Sequence, residues 1–321
     1  MPAMTMVQAL NSAMDVMLAR NPDIVLFGED VGFYGGVFRV TDGLYKRFPG
    51  RVVDTPLAES CIVGASIGMA AAGLKPVAEI QFDGFLPPAF DQLLSHASRL
   101  RNRSRGRYHV PLVVRVPCSG GIKALEHHSD SPEAYYCHMP GMKVVMPSRP
   151  YSAKGLLISA IRDPDPVIFF EPKRVYRAIK EEVPEEEYEI PLEKAEVVQE
   201  GTDATVITWG AMVKTVREAV SGMQPGIEII DLQTLSPLDE ETIIGSVKKT
   251  GRAVVVQEAP KTCSLSAEIS AIINEQALYS LEAPVLRVTG WDIVIPLPKL
   301  EKFYYPDAAR VRKNIENVLA S

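Results

Sequence analysis

The first apolar residues of the chain recur at helical spacing and are followed by a short continuous apolar run. Val7, Leu10 and Met14 lie three or four positions apart behind Thr5, which predicts a capped amphipathic helix over residues 5–20. The apolar run at 24–27 is typical of a buried strand. The chain therefore begins with a helix that leads into a strand.

The same alternation continues to about residue 170. It predicts helices at 58–73, 88–103 and 153–162, and strands at 76–82, 112–116, 143–146 and 167–170. Short strands that alternate with longer helices are typical of a parallel sheet covered by helices on both faces. We therefore predict an α/β fold for this part of the chain.

An acidic segment interrupts the alternation. Residues 180–191 read KEEVPEEEYEIP, with two prolines and no helical apolar stripe, which predicts a solvated connector. The alternation then restarts, with strands predicted at 205–208, 227–230 and 253–257 and helices at 212–220, 240–248 and 266–274. We predict a first domain at 1–180, an acidic linker at 181–195 and a smaller α/β domain at 196–321.

Composition narrows the class of protein. A chain of 321 residues with 46% hydrophobic and 23% charged residues is typical of a folded protein with two domains. Its net charge of -6 argues against nucleic acid or an anionic membrane as a partner. The four cysteines form no CxxC pair, and no apolar run is long enough to span a bilayer. We therefore expect reduced thiols and a cytoplasmic protein that binds small molecules or other proteins.

Glu59 is the first candidate for chemistry, because it follows a Thr-Pro turn at the start of the predicted helix 58–73. An acidic residue in a first turn complements the helix dipole. Its neighbours are nearly all apolar, so a side chain that points inward would instead be a buried acid whose protonated form is favoured. The sequence leaves both interpretations open.

A histidine-rich loop is the second candidate. His127, His128 and His138 follow a predicted core strand, where α/β active sites gather. The spacing does not favour a zinc site. One histidine that donates or accepts a proton, oriented by Ser129 or Asp130, is the functional interpretation, and exposed histidines without a function are the alternative.

Several motifs together resemble one known family over nearly the whole chain. They are GEDVG at 28–32, DTPLAE at 54–59, AEIQF at 78–82, HHSDSPEA at 127–134, PGMKVV at 140–145 and the long segment 153–177. In this order they resemble the β subunit of the thiamine diphosphate-dependent, decarboxylating component of 2-oxoacid dehydrogenase complexes. The segment FFEPKRVYR at 169–177 is most similar to the corresponding segment of the branched-chain members.

The resemblance implies a pyrimidine-binding domain and a transketolase C-terminal-like domain. It implies an α2β2 heterotetramer in which thiamine diphosphate and Mg²⁺ are held mainly by an α subunit, and this chain indeed has no GDG motif for the metal. It implies oxidative decarboxylation of a 2-oxo acid, of the 3-methyl-2-oxobutanoate class, and acylation of lipoyl on an acyltransferase core. A pyruvate or acetoin enzyme, and a non-catalytic scaffold subunit, are the alternatives.

The resemblance also assigns residues. It implies that Glu59 hydrogen-bonds the cofactor's aminopyrimidine, and that His128, or its neighbour His127, stabilises charge or moves a proton during acylation of lipoyl. Leu57 and Gln81 match residues that line the pyrimidine pocket.

Two further matches depart from the family pattern. Phe85 matches another pocket residue, at a position where some members carry a tyrosine, so a hydroxyl is absent here. Ala160, Asp163 and Asp165 match a loop that binds a structural monovalent cation, such as K⁺, in some relatives. Asp165 stands where others have asparagine, which leaves the identity of the ion open. No ligand for Mg²⁺ is expected in this chain.

Overall fold

The computed structural model describes residues 1–224 and 226–321. Its strands are β1 Ala3–Thr5, β2 Ile24–Gly28, β3 Val52–Asp54, β4 Lys75–Glu79, β5 Val113–Cys118, β6 Lys143–Val145, β7 Val167–Pro172, β8 Lys180–Glu182, β9 Glu196–Gln199, β10 Ala204–Thr208, β11 Ile227–Asp231, β12 Thr234–Ser236, β13 Ala253–Val256 and β14 Leu286–Val288. Its α-helices are α1 Met6–Arg20, α2 Leu44–Arg47, α3 Glu59–Ala71, α4 Leu100–Arg103, α5 Glu133–Cys137, α6 Pro150–Arg162, α7 Met212–Val220, α8 Glu240–Thr250, α9 Leu265–Ala277 and α10 Ala308–Leu319.

The N-terminal half is built on a sheet with the strand order β12-β6-β7-β5-β4-β2-β3. All neighbouring pairs are parallel except β12 with β6. Successive residues of β7 point to opposite faces, so Phe169 packs with α1 and α6, whereas Phe170 packs with α3 on the other face. The prediction of a parallel sheet with both faces covered is therefore confirmed.

The C-terminal half is built on a five-stranded sheet with the order β14-β13-β10-β11-β9, in which only β9 is antiparallel. Helices α7 and α10 pack on one face of this sheet. On the other face, apolar side chains of α8 and α9 share a continuous core with the N-terminal half. The predicted α/β fold class is confirmed for both halves, and the domain bounds 1–180, 181–195 and 196–321 stay a prediction.

The acidic segment is packed more closely than a solvated connector. Strand β8 pairs with β1, and Val183 is fully buried. Tyr188 stacks on Tyr151 with their ring centroids 4.7 Å apart, and the carboxylate of Glu187 pairs with arginines of α1 and α6. The sequence pattern was misleading because these carboxylates find their partners on helices distant in sequence.

The predicted helix 88–103 is broken into shorter pieces. A 3-10 turn spans Pro87–Ala89, a π-helical turn spans Gln92–Ala97, and α4 follows. The amide of Ser98 donates to the carbonyl of Leu93 rather than to that of residue 94. The backbone of Gly141 lies against Ser98, where a Cβ atom would come within 2.2 Å of the carbonyl oxygen. Such a tertiary contact is invisible in a helical apolar pattern.

Candidate active site

The parallel strands β2 and β4 lie side by side in the N-terminal sheet, and the chain continues from them to opposite sides of the sheet. Strand β2 leads to β3 on one side, whereas β4 leads to β5 on the other. Ligands of open α/β sheets bind in the crevice at such a switch point. Residues 29 and 81 follow these two strands, and the side-chain amide of Gln81 donates to the carboxylate of Asp30 at 3.0 Å. The crevice therefore lies at the carboxyl ends of β2 and β4, next to Glu29 and Gln81.

The loop after β2 is held in place by an acid at the end of β3. The carboxylate of Asp54 accepts hydrogen bonds from the amide of Gly32 at 2.6 Å and from that of Phe33 at 3.1 Å. A Cβ atom at position 32 would lie 2.7 Å from an Asp54 oxygen, so the close approach requires glycine. These bonds fix the segment that carries Glu29 and Asp30.

Glu29 is a buried acid without a partner. Its side chain is 4% exposed, and neither carboxylate oxygen makes a hydrogen bond of normal geometry within the described part of the chain. Burial, followed by the nearby charge of Glu59, raises the pKa of Glu29 to about 7, and the backbone amide of Ala58 offsets part of the rise. Sequence reasoning missed Glu29. An acidic residue directly after a parallel strand was the available signal.

Glu59 is the first residue of α3 and is half-buried. Its position satisfies the helix-dipole interpretation, whereas a half-buried side chain is not the buried acid of the other interpretation. The charge of Glu59 nevertheless reaches Glu29. Leu57, two residues earlier, is 74% exposed. Glu29 and Glu59, the acid pair, thus lie at the edge of the crevice, and the exposed side chain of Leu57 lies beside them.

His128 is oriented by aromatic rings. Its imidazole stacks on Phe82 with centroids 4.2 Å apart and meets the edge of Phe85 at 5.2 Å. Its Nδ1 atom is buried and, among the described residues, has no hydrogen-bond partner, so neither Ser129 nor Asp130 orients the ring through a hydrogen bond. Burial, the charge of His127 and that of Lys173 lower the pKa of His128. The lowered pKa favours the neutral imidazole.

A buried ion pair lies next to the aromatic rings. The ammonium of Lys173 contacts the carboxylate of Asp83 at 2.9 Å, and both side chains are fully buried. Lys173 also lies 5.8 Å from the ring centroid of Phe82, on which His128 stacks. Burial raises the pKa of Asp83 to about 6, although Lys173 opposes that rise. Sequence reasoning missed this pair because its members are 90 residues apart.

The predicted site residues fall on two edges of the sheet. At the carboxyl edge, Phe85 contacts His128, the side-chain amide of Gln81 donates to the carbonyl of Glu29, and the charge of Glu59 reaches Glu29. Leu57 lies at its exposed rim. By contrast, the three residues of the predicted cation loop precede β7 and lie at the opposite edge; they are Ala160, Asp163 and Asp165.

The carboxylates of the cation loop already have cationic partners. Asp163 accepts from the ammonium of Lys143 at 2.7 Å, and Asp165 pairs with Arg101. The carbonyl of Ala160 accepts from the amide of Asp163. Because both acids are neutralised by side chains, the loop as it stands fits a monovalent cation poorly. The structural K⁺ site stays a prediction.

Two features are absent from the described residues, 1–224 and 226–321. No helix among them is long and apolar enough to cross a bilayer. No group of three or more histidine, cysteine, aspartate or glutamate side chains among them is arranged to hold a metal ion.

Two family models match the chain. The transketolase pyrimidine binding domain matches residues 2–179, and the transketolase C-terminal domain matches residues 193–311. A solved structure described as a split gene transketolase, an inactive beta4 tetramer, superposes with a TM-score of 0.82 over 99% of both chains at 20% identity. That likeness concerns the fold alone. The fold and the models together define a transketolase-type protein of the thiamine-dependent class.

Curated relatives identify the family within that class. The chain is 54% identical to the pyruvate dehydrogenase E1 component subunit beta of Acholeplasma laidlawii, with 98% of each chain covered. It is 50% identical to the Bacillus subtilis protein of that name, with 99% of each covered. It is 48% identical to the 2-oxoisovalerate dehydrogenase subunit beta of Pseudomonas aeruginosa, with 99% and 95% covered. The chain belongs to the E1 β subunits of the 2-oxoacid dehydrogenases, which confirms the resemblance of its motifs.

Proposed function

We propose that this chain, joined to an α subunit, oxidatively decarboxylates a 2-oxo acid and acylates a lipoyl group on an acyltransferase. The observation that carries the proposal is the acid pair at the crevice. Glu29 is buried without a partner, and Glu59 lies beside it at a helix start. A buried acid left unpaired in a crevice is typical of a group that awaits a ligand.

The surface around the acid pair supports a partner chain in an α2β2 assembly. Leu57, Phe33 and Tyr34 expose most of their apolar surface beside the crevice. On α3, Gly68 is exposed and a Cβ atom there would meet nothing within 4 Å. Exposed apolar groups next to a functional crevice mark a contact surface. We infer that the α subunit covers this surface and contributes the diphosphate and Mg²⁺ ligands.

The residues at the crevice fit the pyrimidine half of thiamine diphosphate. Glu59 would hold a proton at the pyrimidine ring nitrogen, and Leu57 and Phe85 offer apolar surface to the ring. The amide of Gln81 is engaged with Asp30, so this residue shapes the floor of the pocket. When bound, the cofactor supplies an electron sink for the electrons left behind by CO2.

His128 would act on the substrate side. Its lowered pKa favours the neutral imidazole, the form that can accept a proton when the acyl group moves to lipoyl. The stacked ring of Phe82 limits the orientations available to it. A scaffold subunit would have no use for both a buried imidazole nitrogen and a buried acid that the described residues leave without a partner, which argues against the non-catalytic alternative.

Two substrate classes have specific support. The FFEPKRVYR segment favours a branched-chain 2-oxo acid, and we propose this class first. Pyruvate is the second candidate, because relatives 54% and 50% identical carry that name. Co-expression with the α subunit, followed by decarboxylation assays on pyruvate and the three branched 2-oxo acids, separates them. A strong preference for pyruvate would reject the branched-chain proposal.

The role of Glu59 has its own test in the assembled enzyme. Glu59→Gln removes the proton-holding group and should lower decarboxylation about 10²- to 10⁴-fold, the usual loss for general acid-base catalysis. Glu268→Gln is the matched control, because Glu268 is an exposed acid in the first turn of α9. Turnover of Glu59→Gln at the control's rate would remove Glu59 from the mechanism.

A further inference from the structure

A short segment of the C-terminal half lies against the loop that carries His128. The loop, residues 119–131, connects β5 to α5, and its base is closed by a hydrogen bond from the amide of Ser119 to the carbonyl of Asp130 at 2.8 Å. The segment, residues 298–307, precedes α10 and contains a 3-10 turn at Glu301–Phe303. Gly121 of the loop and Glu301 of the segment are 180 residues apart in sequence, and the fold brings them into contact.

Two hydrogen bonds connect the segment to the loop, one on each side of His128 in sequence. The carboxylate of Glu301 accepts from the amide of Gly121 at 2.6 Å. The hydroxyl of Tyr305 donates to the carbonyl of Ser129, the residue directly after His128, at 3.2 Å. Both side chains are buried, so neither bond is easily replaced by water.

The packing around the start of the loop leaves no room for a side chain at position 120 or 121. A Cβ atom at Gly120 would lie 1.9 Å from the hydroxyl oxygen of Tyr305, and one at Gly121 would lie 2.1 Å from Arg174. Gly121 also has a φ of +102°, which favours glycine. Arg174 itself is held by an ion pair with Glu258 and lies 5.7 Å from the ring centroid of Tyr305. The start of the loop therefore packs against Tyr305 and Arg174, and Arg174 is held by its own ion pair.

Beyond these contacts the loop is open. Ile122, Lys123 and Leu125 are exposed, and a cavity of about 590 Å³ separates the outer part of the loop from Lys299 and Lys302. The imidazole itself contacts the rings of Phe82 and Phe85 and that of His127, which belongs to the same loop. The backbone that carries the imidazole is held near the two ends of the loop, where the C-terminal segment makes its hydrogen bonds.

We propose that Glu301 and Tyr305 are positioning residues that hold the His128 loop in its working conformation, so that the C-terminal half contributes to acyl transfer through His128. The inference rests on the proposed function of His128. Neither residue touches the reacting atoms, and each acts only on the loop backbone. Loss of one bond should misplace His128 for part of the time rather than remove it.

The test measures Tyr305→Phe in the enzyme assembled with its α subunit. The rate of lipoyl-domain acylation is compared with decarboxylation to an artificial dye acceptor. Removing one hydrogen bond should lower acylation about 3- to 10-fold, corresponding to a net contribution of about 0.7–1.4 kcal/mol. Decarboxylation to the dye should stay within about twofold of wild type if the loss concerns the His128 step alone.

Tyr304→Phe is the matched control. It removes the hydroxyl of the neighbouring buried tyrosine, which makes no hydrogen bond within residues 1–224 and 226–321. The ratio of acylation to dye-linked decarboxylation should fall in Tyr305→Phe and stay at the wild-type value in Tyr304→Phe. An equal ratio in the two variants would overturn the proposal. Glu301→Gln keeps an acceptor for Gly121 and should retain the acylation rate, whereas Glu301→Ala should lose it by a similar factor.

A double-mutant cycle separates this inference from the proposed function. If Tyr305 acts through His128, adding Tyr305→Phe to His128→Ala should cause no further loss of acylation. A further loss equal to that in the wild-type background would overturn the positioning role. A His128→Ala enzyme with wild-type acylation would overturn the proposed function of His128, whatever Tyr305→Phe does, and the positioning role with it.

Discussion

Two groups of buried charged side chains in the N-terminal half differ in whether they have partners. In the middle of the sheet, Arg115 donates to Glu79 at 2.7 Å and to both oxygens of Glu171 at 2.7 and 3.0 Å. The hydroxyl of Tyr176 donates to Glu171 at 2.6 Å. At the carboxyl edge, by contrast, both oxygens of Glu29 lack a partner in the described part of the chain.

The difference separates structural charge from functional charge. Buried ions without a function are paired, since an unpaired buried charge costs several kcal/mol. Glu29, and Nδ1 of His128, have no hydrogen-bond partner among the described residues, and we attribute this to a ligand that would face them. The charges of the sheet interior are paired within this chain, whereas we propose that the crevice is completed from outside. Three changes test this comparison.

The largest effect is expected in the paired group. Arg115→Met leaves Glu79 and Glu171 buried without their cation, and should lower the free energy of unfolding by about 3–5 kcal/mol. Denaturant unfolding measures the loss. Arg47→Met is the control, because Arg47 pairs with Asp15 at the surface and its side chain is 60% exposed, so a loss below about 1 kcal/mol is expected. Equal losses would contradict the distinction.

A smaller effect, of opposite sign, is expected at Glu29. Its folded pKa of about 7 lies above its ordinary value of 4.5, so wild-type stability falls as the pH rises from 4.5 through 7. Glu29→Gln removes that fall. The free energy of unfolding of the variant, relative to that of wild type, should therefore rise by about 2 kcal/mol from pH 5 to pH 8. Unfolding curves at both pH values measure it. A variant that loses stability equally at both would show that Glu29 has a structural partner.

The smallest effect is expected from a single bond of the paired group. Tyr176→Phe removes one of the hydrogen bonds to Glu171 and should lower the free energy of unfolding by about 1.5 kcal/mol. Tyr304→Phe should change it far less, because that hydroxyl has no hydrogen bond among the described residues. Indistinguishable unfolding curves for the two variants would show that the Tyr176 bond adds nothing.

Local patterns predicted the elements of the fold well. The helix behind Thr5 is present with the reciprocal bonds of a capping box between Thr5 and Gln8, and most predicted strands lie within two residues of their observed bounds. These features depend on neighbours in sequence. The broken helix at 88–103 depends instead on Gly141, and no local pattern contains that contact.

The site was predictable in part for the same reason. Glu59 and His128 stand in long motifs, and both are found at the carboxyl edge of the sheet. The partners that define their surroundings come from distant positions. Glu29 follows another strand, Lys173 lies 90 residues after Asp83, and Tyr305 belongs to the C-terminal half. Charge and burial at a site are tertiary properties, so single-sequence reasoning identifies the acid but not what surrounds it.

We propose that the crevice is one half of a cofactor site. Titration calorimetry with thiamine diphosphate and Mg²⁺, on the chain alone and on the chain assembled with its α subunit, tests it most directly. The assembled enzyme should bind the cofactor with saturation, and Glu59→Gln should weaken that binding, whereas the chain alone should show no saturable heat. Tight binding by the chain alone would contradict the account.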